Sequence, residues 1–206
     1  TRLVAVSKIK PASLIKACYD AGQRHFGENY VQELVGKAAE LPKDIKWHFI
    51  GHLQSNKAKM LASVESLFMV ETVDSLKLAK ALNKSWTALN RGRPLNIFVQ
   101  VKTAIEETKT GLDPTKCVEL VKQIIESCPQ LKFCGLMTIG TYGGDATADF
   151  KKLVICKESV VKDLGIKPQD VELSMGMSSD FDKAIALGST NVRVGSTIFG
   201  ARVYNK

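Results

Sequence analysis

Short apolar runs rich in β-branched and aromatic residues alternate along this chain with longer segments in which apolar positions recur at helical spacing. The short runs predict strands over residues 3–7, 24–26, 47–50, 67–70, 96–101, 133–139, 170–173 and 191–194. The amphipathic segments between them predict helices over 11–21, 30–40, 56–62, 75–89, 114–128, 147–164 and 179–187. Punctuation agrees with these bounds. Pro11 suits a first helical turn and Gly22 a helix stop. Asp74 and Asp113 stand as N-caps before Ser75 and Pro114. Gly165 and Gly188 fall just past helix ends, where a left-handed residue is commonly needed. Strand then helix, repeated, implies parallel strands with crossover helices, and eight strands in 206 residues make a compact (β/α)8 TIM barrel, one domain over 1–206. The alternative is an open doubly wound sheet, which wants a glycine-rich turn after the first strand; Ser7-Lys8-Ile9-Lys10-Pro11 has no glycine.

Composition narrows the class of protein. Hydrophobic residues at 45% and charged residues at 24% are an ordinary globular balance. No apolar run approaches the ~20 residues of a membrane-spanning helix and no secretory pattern is present, so no membrane partner is expected. The five cysteines, Cys18, Cys117, Cys128, Cys134 and Cys156, are odd in number and form no C-x-x-C pair. That argues against a disulfide framework or zinc site and for a reducing, cytoplasmic setting. His48 and His52 stand four apart, a spacing that converges on a metal only in a helix, whereas residues 47–50 read as a strand; no metal is expected. The net charge of +8 would attract phosphates and other anions. Its lysines are dispersed along helical stretches with no basic run interleaved with aromatics, so solvated helix faces account for the charge better than a nucleic-acid surface. No unpartnered apolar helix face stands out, which favours a monomer.

In a barrel of this kind ligands bind at the carboxyl ends of the strands. Those ends carry Lys8, Gly27-Glu28-Asn29, Gly51-His52-Leu53-Gln54-Ser55-Asn56, residues 137–140, Ser174-Met175-Gly176-Met177-Ser178-Ser179 and Gly195-Ser196-Thr197, a rim rich in small and hydrogen-bonding residues. Lys8 ends the first apolar run. It reads either as a surface lysine closing a strand or as an amine delivered to the barrel mouth, where burial and a nearby cation such as Lys10 would lower its pKa enough to attack an aldehyde. The small residues of 174–179 and 195–197 would let backbone amides approach a phosphate held by the loops after strands seven and eight. The same residues could cap helices, with Ser178 or Ser179 as the cap, and the two roles are compatible. Arg193 alternates with Val192 and Val194, so it points into the barrel or toward the outer helices. Inward, it would donate to a ring nitrogen or an acid, or else form a buried salt bridge. Closure sets strand eight against strand one, which makes an amine on Lys8 and a phosphate cup neighbours, the geometry that pyridoxal phosphate requires.

The residues that carry a family resemblance are Val4-Ala5-Val6-Ser7-Lys8, His25-Phe26-Gly27-Glu28-Asn29-Tyr30-Val31-Gln32-Glu33, Trp47-His48-Phe49-Ile50-Gly51-His52-Leu53-Gln54, Gly135-Leu136-Met137-Thr138-Ile139, Leu173-Ser174-Met175-Gly176-Met177-Ser178 and Val192-Arg193-Val194-Gly195-Ser196-Thr197-Ile198-Phe199-Gly200. In these segments the chain closely resembles the pyridoxal phosphate homeostasis proteins, also called proline synthetase co-transcribed homologues, which look like a reduced alanine racemase N-terminal barrel without the additional β domain. The resemblance implies that Lys8 forms the internal aldimine with pyridoxal phosphate. It implies that Ser174, Met177, Ser178, Gly195 and Ser196 belong to the phosphate-binding segments and that Arg193 faces the pyridine nitrogen, leaving it largely unprotonated. Asn29 and His52 lie in matching segments, and Lys109 matches a further rim lysine. Members of the family usually carry a helical segment before the first strand, whereas here the first strand comes almost at once.

The resemblance also frames the functional alternatives. In the first, the protein is a non-catalytic carrier in intracellular pyridoxal phosphate homeostasis that buffers the cofactor or delivers it to cofactor-free enzymes. In the second, it is an amino-acid racemase or decarboxylase of the same fold. Racemases of that fold take a second acid/base from an extra β domain and a partner subunit; His52 or Tyr142 would have to serve here, which favours the carrier. A third reading is a Schiff-base aldolase on a phosphate-binding barrel with no cofactor.

Overall fold

In the computed structural model, which describes residues 1–104, 110–141 and 143–201, eight parallel strands pair in chain order and close into a barrel. The strands are β1 (Arg2–Val6), β2 (His25–Glu28), β3 (Lys46–Phe49), β4 (Leu67–Val73), β5 (Leu95–Gln100), β6 (Leu131–Met137), β7 (Glu172–Ser174) and β8 (Asn191–Val194). The helices are α1 (Ala12–Asp20), α2 (Val31–Glu40), α3 (Ala58–Ala62), α4 (Leu76–Leu89), α5 (Cys117–Ser127), α6 (Thr147–Leu164), α7 (Phe181–Ala186) and a single turn, α8 (Ser196–Phe199). Closure comes from a parallel ladder in which Arg2, Leu3, Val4 and Ala5 stand beside Asn191, Val192, Arg193 and Val194.

The expected barrel is found, and the departures from the expected bounds are local. Residues 55–57 and 114–116 form 3-10 turns ahead of α3 and α5. Asp170, expected to open a strand, ends a 3-10 turn begun at Pro168, whose fixed φ suits a turn and lacks the N–H a ladder needs. Ser75, not Asp74, caps α4, its side chain accepting from the Leu78 amide. Asp113 caps as expected, accepting from the Thr115 amide. Gly165 ends α6 at φ 64°.

Period-two alternation divides the strands between two cores. Phe26, Trp47, Phe49, Leu67, Val70, Ile97, Val99 and Leu173 pack outward against Leu34, Leu82, Val121, Ile124 and Phe150 of the helices in the main cluster. The interior holds a small separate cluster of Met69, Phe98 and Met137. Beside it lie His48, Glu71, Ser174, Asn191 and Arg193, all buried, with His48 paired to Met69 and Ser174 to Met137 in the ladders.

The loop after β7 turns at Gly176, whose φ is 94°. A Cβ there would stand 2.5 Å from the Ala184 Cβ and 3.0 Å from the Phe181 Cα, so that glycine is what lets the loop lie on α7. Gly36 of α2, by contrast, has open space around it. Urea denaturation should therefore show Gly176→Ala destabilised by about 1–3 kcal/mol, whereas Gly36→Ala should be neutral or stabilised by up to about 1 kcal/mol. Equal effects of the two substitutions would contradict this packing.

Candidate functional site

At the carboxyl ends of the strands a cavity of about 630 Å³ opens, the largest of those described. It is walled by Val6, Ile50, Met137, Ile139 and Met177 and by the polar residues Lys8, Asn29, Ser178, Ser179, Arg193, Gly195, Ser196 and Thr197, with Ala201 on the rim. The structure thus brings Lys8, Asn29, Met177, Ser178, Arg193, Gly195 and Ser196 to one wall. Ser174 is not among them; it is fully buried below, and its hydroxyl meets Glu71, Asn191 and Arg193. His52 lines a separate surface depression with Leu53 and Gln54. Lys109 and Tyr142 lie outside the described residues.

Local structure after β1 fixes the approach of Lys8. The strand ends at Val6, and the chain turns through Ile9 at φ 61°. Glu33 of α2 accepts from the Ile9 amide at 2.6 Å, and the Lys10 amide returns to the Ser7 carbonyl at 3.0 Å. The strand therefore does not continue to Lys10, whose amine instead donates to the Ala201 carbonyl at 2.8 Å across the rim.

Beneath this turn lies a cluster that was not read from the sequence. The Lys37 amine donates to the Ser7 carbonyl, to Glu28 Oε1 and to Glu33 Oε1 at 2.6–2.7 Å. The Ser7 hydroxyl also donates to Glu28 Oε1, at 2.7 Å. Burial pushes the Glu28 carboxyl up to about 7, outweighing the attraction of Lys37, and Oε2 has no partner among the described residues.

Two further turns frame the cavity. Asp180, rather than Ser178 or Ser179, occupies the N-cap position of α7, and its carboxylate accepts from the Met177 amide at 2.6 Å. Ser178 instead ties the two turns together, its hydroxyl accepting from the Gly195 amide at 3.1 Å. The amides of Ile198 and Phe199 both return to the Gly195 carbonyl. Among the described residues, the amides of Ser178, Ser179, Ser196 and Thr197 meet no backbone acceptor and remain to receive an anion. Gly195 packs close to β1, since a Cβ there would stand 3.2 Å from the Val6 carbonyl oxygen.

At the cavity floor Arg193 points inward. Its Nη1 donates to the Ser174 hydroxyl at 2.6 Å and its Nη2 to the Thr138 carbonyl at 2.8 Å. Burial lowers its pKa, against the charges of Glu71 and Asp180. The buried salt bridge considered from the sequence is absent among the described residues; serine and carbonyl oxygens take its place. Asn29 Oδ1 is buried without a partner among the described residues. An amine, an unsatisfied acceptor, a buried guanidinium and two turns of open amides suit an aldehyde-bearing aromatic phosphate, so the residues present fit pyridoxal phosphate.

Residues 1–203 match the family model described as "Alanine racemase, N-terminal domain". The chain is 51% identical to the pyridoxal phosphate homeostasis protein of Homo sapiens, over all of this chain and 78% of that one. PipY of Synechococcus elongatus PCC7942, solved with PLP bound, is 39% identical and superposes with a TM-score of 0.85 over 97% of this chain and 92% of that one. An alanine racemase of Clostridium difficile 630 shares the fold, with a TM-score of 0.74 at 16% identity; the alignment covers 99% of this chain and 53% of the racemase. Among the described residues no helix is long and apolar enough to cross a membrane.

The Glu28 cluster gives a prediction with a definite sign. The folded-state value of about 7 lies above the ordinary 4.5, so the protonated carboxyl stabilises the fold fully below about 4.5, and that contribution is lost as pH rises through 7. Glu28→Gln cannot titrate. Its stability relative to the parent, followed by chemical denaturation, should rise between pH 4.5 and 7. A constant difference across that window would contradict the assignment.

Proposed function

The chain belongs to the pyridoxal phosphate homeostasis protein family, and from that premise we propose that it binds pyridoxal phosphate at the carboxyl face of its barrel and holds and releases the cofactor without catalysing a reaction. The observation that carries this reading is the cavity wall. Among the described residues Lys8 and Arg193 are its only ionisable groups, and Arg193 is already engaged at the floor. A racemase needs an acid/base on each side of the reacting carbon. His52, the described candidate for the second, belongs to another depression.

Lys8 would hold the aldehyde end covalently through Nζ. Met177, Ser178, Gly195 and Ser196, together with Ser179 and Thr197, would hold the phosphate through their turns, hydroxyls and open amides, and Asn29 would accept a donor from the cofactor. Arg193 would face the ring nitrogen and keep a proton off it. When bound, pyridoxal phosphate supplies an electron-withdrawing ring, and that arginine weakens it as an electron sink, which suits storage better than turnover. The proposal includes a single barrel domain over 1–206, a monomeric intracellular protein, and cofactor-free pyridoxal phosphate enzymes as recipients.

Loaded protein should absorb in the near-visible, and Lys8→Ala should lose that band while its far-ultraviolet circular dichroism is unchanged. A band that persists in this variant would reject the anchor. Ser196→Glu sets a negative charge beside the phosphate turn and should weaken retention roughly tenfold or more, as expected for a lost donor plus repulsion. Retention equal to the parent would count against the phosphate assignment. Loaded protein should reactivate a cofactor-free enzyme and show no racemisation or decarboxylation of amino acids, and Lys8-dependent turnover would replace the carrier reading with an enzymatic one.

A further inference from the structure

A chain of short hydrogen bonds crosses the barrel interior and ends on Arg193. Glu71 lies on β4, yet its carboxylate meets side chains from β3, β7 and β8. Contacts with strands on the far side are made only through the interior of a closed barrel. His48 Nδ1 lies 2.6 Å from Glu71 Oε1, and the Ser174 hydroxyl lies 2.5 Å from Glu71 Oε2. Asn191 Nδ2 adds longer contacts, 3.0 Å to the Ser174 hydroxyl and 3.3 Å to Glu71 Oε1. His25 Nδ1 extends the chain toward the opposite face, 2.8 Å from His48 Nε2.

Donor chemistry gives this chain one direction. A guanidinium can only donate, so the Ser174 hydroxyl accepts from Arg193 and its own proton goes to Glu71. Burial alone would raise the Glu71 carboxyl, but the His48 hydrogen bond, the charges of His48 and Arg193 and the Ser174 hydroxyl hold it below its ordinary value. As a carboxylate it only accepts, which places a proton on His48 Nδ1. Burial first, then the neighbouring His48, Arg2 and Lys46, lower His25 to about 3, so it stays neutral near pH 7; its Nδ1 pairs with His48 Nε2, and the tautomer sets which ring donates.

Glu71 is fully buried and not among the residues lining the cavity, so its carboxylate does not touch a ligand there. Arg193 does line the cavity, and its two terminal nitrogens are pinned below by Ser174 and Thr138. We propose that Glu71, acting through Ser174, is a positioning residue for Arg193 and sets how that guanidinium meets the ring of the bound cofactor. This rests on the binding reading above, and it moves Ser174 from the phosphate-binding set to the support beneath Arg193. A missing or misdirected hydroxyl at Ser174 would leave the guanidinium free to swing toward another acceptor, changing both its orientation and its field at the ring.

The test loads the parent, Ser174→Ala, Glu71→Gln, Arg193→Lys and the double variant Glu71→Gln/Arg193→Lys with pyridoxal phosphate. It reads the absorption and emission maxima of the bound chromophore and its retention, with thermal unfolding of the cofactor-free proteins followed separately. Ser174→Ala and Glu71→Gln should each displace the maxima and weaken retention roughly tenfold, the scale of a hydrogen bond to a charged group. Glu71→Gln should add nothing in the Arg193→Lys background. Parental spectra and retention in Ser174→Ala, with Arg193→Lys displaced, would overturn the inference and leave the binding reading standing. Full additivity of Glu71→Gln and Arg193→Lys would overturn it as well. An Arg193→Lys protein indistinguishable from the parent would remove the ring contact itself, and the inference with it. If Glu71→Gln does not fold, Ser174→Ala, which deletes one hydroxyl, decides.

Discussion

Closure of β8 on β1 is the constraint on which every feature of the site depends. The ladder sets Val4 beside Arg193 and Ala5 beside Val194, so the strand that leads to Lys8 runs parallel to the strand that leads to Gly195 and Ser196. An amine from near the start of the chain and a turn from near its end thereby reach the same wall. Gly195 keeps the two strands close where they leave the sheet, against the Val6 carbonyl. Side-chain alternation then fixes which residues face inward, and a slip of one residue would exchange Arg193 for a valine at the cavity floor.

The polar interior is an energetic liability unless every group is paired. Removing ionised groups from water costs several kcal/mol each in real proteins. Here the Glu71 carboxylate has partners on three other strands, and Arg193 is answered by a hydroxyl and a carbonyl. Apolar packing supplies the rest of the interior through Met69, Phe98 and Met137. Filling the whole interior with apolar side chains would have avoided the desolvation, so what this arrangement provides is orientation rather than stability. A guanidinium held at two points in the barrel interior takes its direction from the protein itself.

Much of this was legible in the sequence because strand and helix periods differ and the punctuation between them is strong. Lys8, Asn29, Met177, Ser178, Arg193, Gly195 and Ser196 line one cavity because each lies close to or just beyond the carboxyl end of a strand, at the same face of the barrel. Ser174, which the resemblance assigns to the phosphate-binding segments, stands apart from the cavity wall, and a motif match does not tell how deep a side chain lies. It ends β7, three residues in length, with its hydroxyl already committed below the cavity. The caps of α4 and α7 each fell a residue or two from their expected place, since neighbouring Asp and Ser residues compete for the same position. Glu71 and Lys37 left weaker signals. Glu71 falls just past the run expected as a strand, 67–70, whereas β4 continues through Thr72 to Val73 and so carries that carboxylate into the ladder. Lys37 with Glu33 four residues before it resembles an ordinary solvated helix pair, and only the Ser7 carbonyl and Glu28, both distant in sequence, show that it is buried.

The turn that carries Lys8 shows how such long-range contacts become local geometry. A β-branched residue at positive φ costs on the order of 1–3 kcal/mol, and Ile9 adopts that conformation directly after the lysine. Nothing in the local sequence favours it; there is no glycine or asparagine in Ser7-Lys8-Ile9-Lys10-Pro11. The compensation comes from α2, where Glu33 accepts from the Ile9 amide and Lys37 donates to the Ser7 carbonyl, and from the Lys10 amine reaching the Ala201 carbonyl. Pro11 then begins the approach to α1 in an extended conformation, at ψ 153°. A relaxed extended turn would carry the chain straight on from β1. The tight turn instead stops it at the rim, with the Lys8 side chain on the cavity wall. The backbone strain is therefore located one residue from the amine and is offset by side chains of a different helix, so placement of that amine depends on the barrel and its helical layer having already packed.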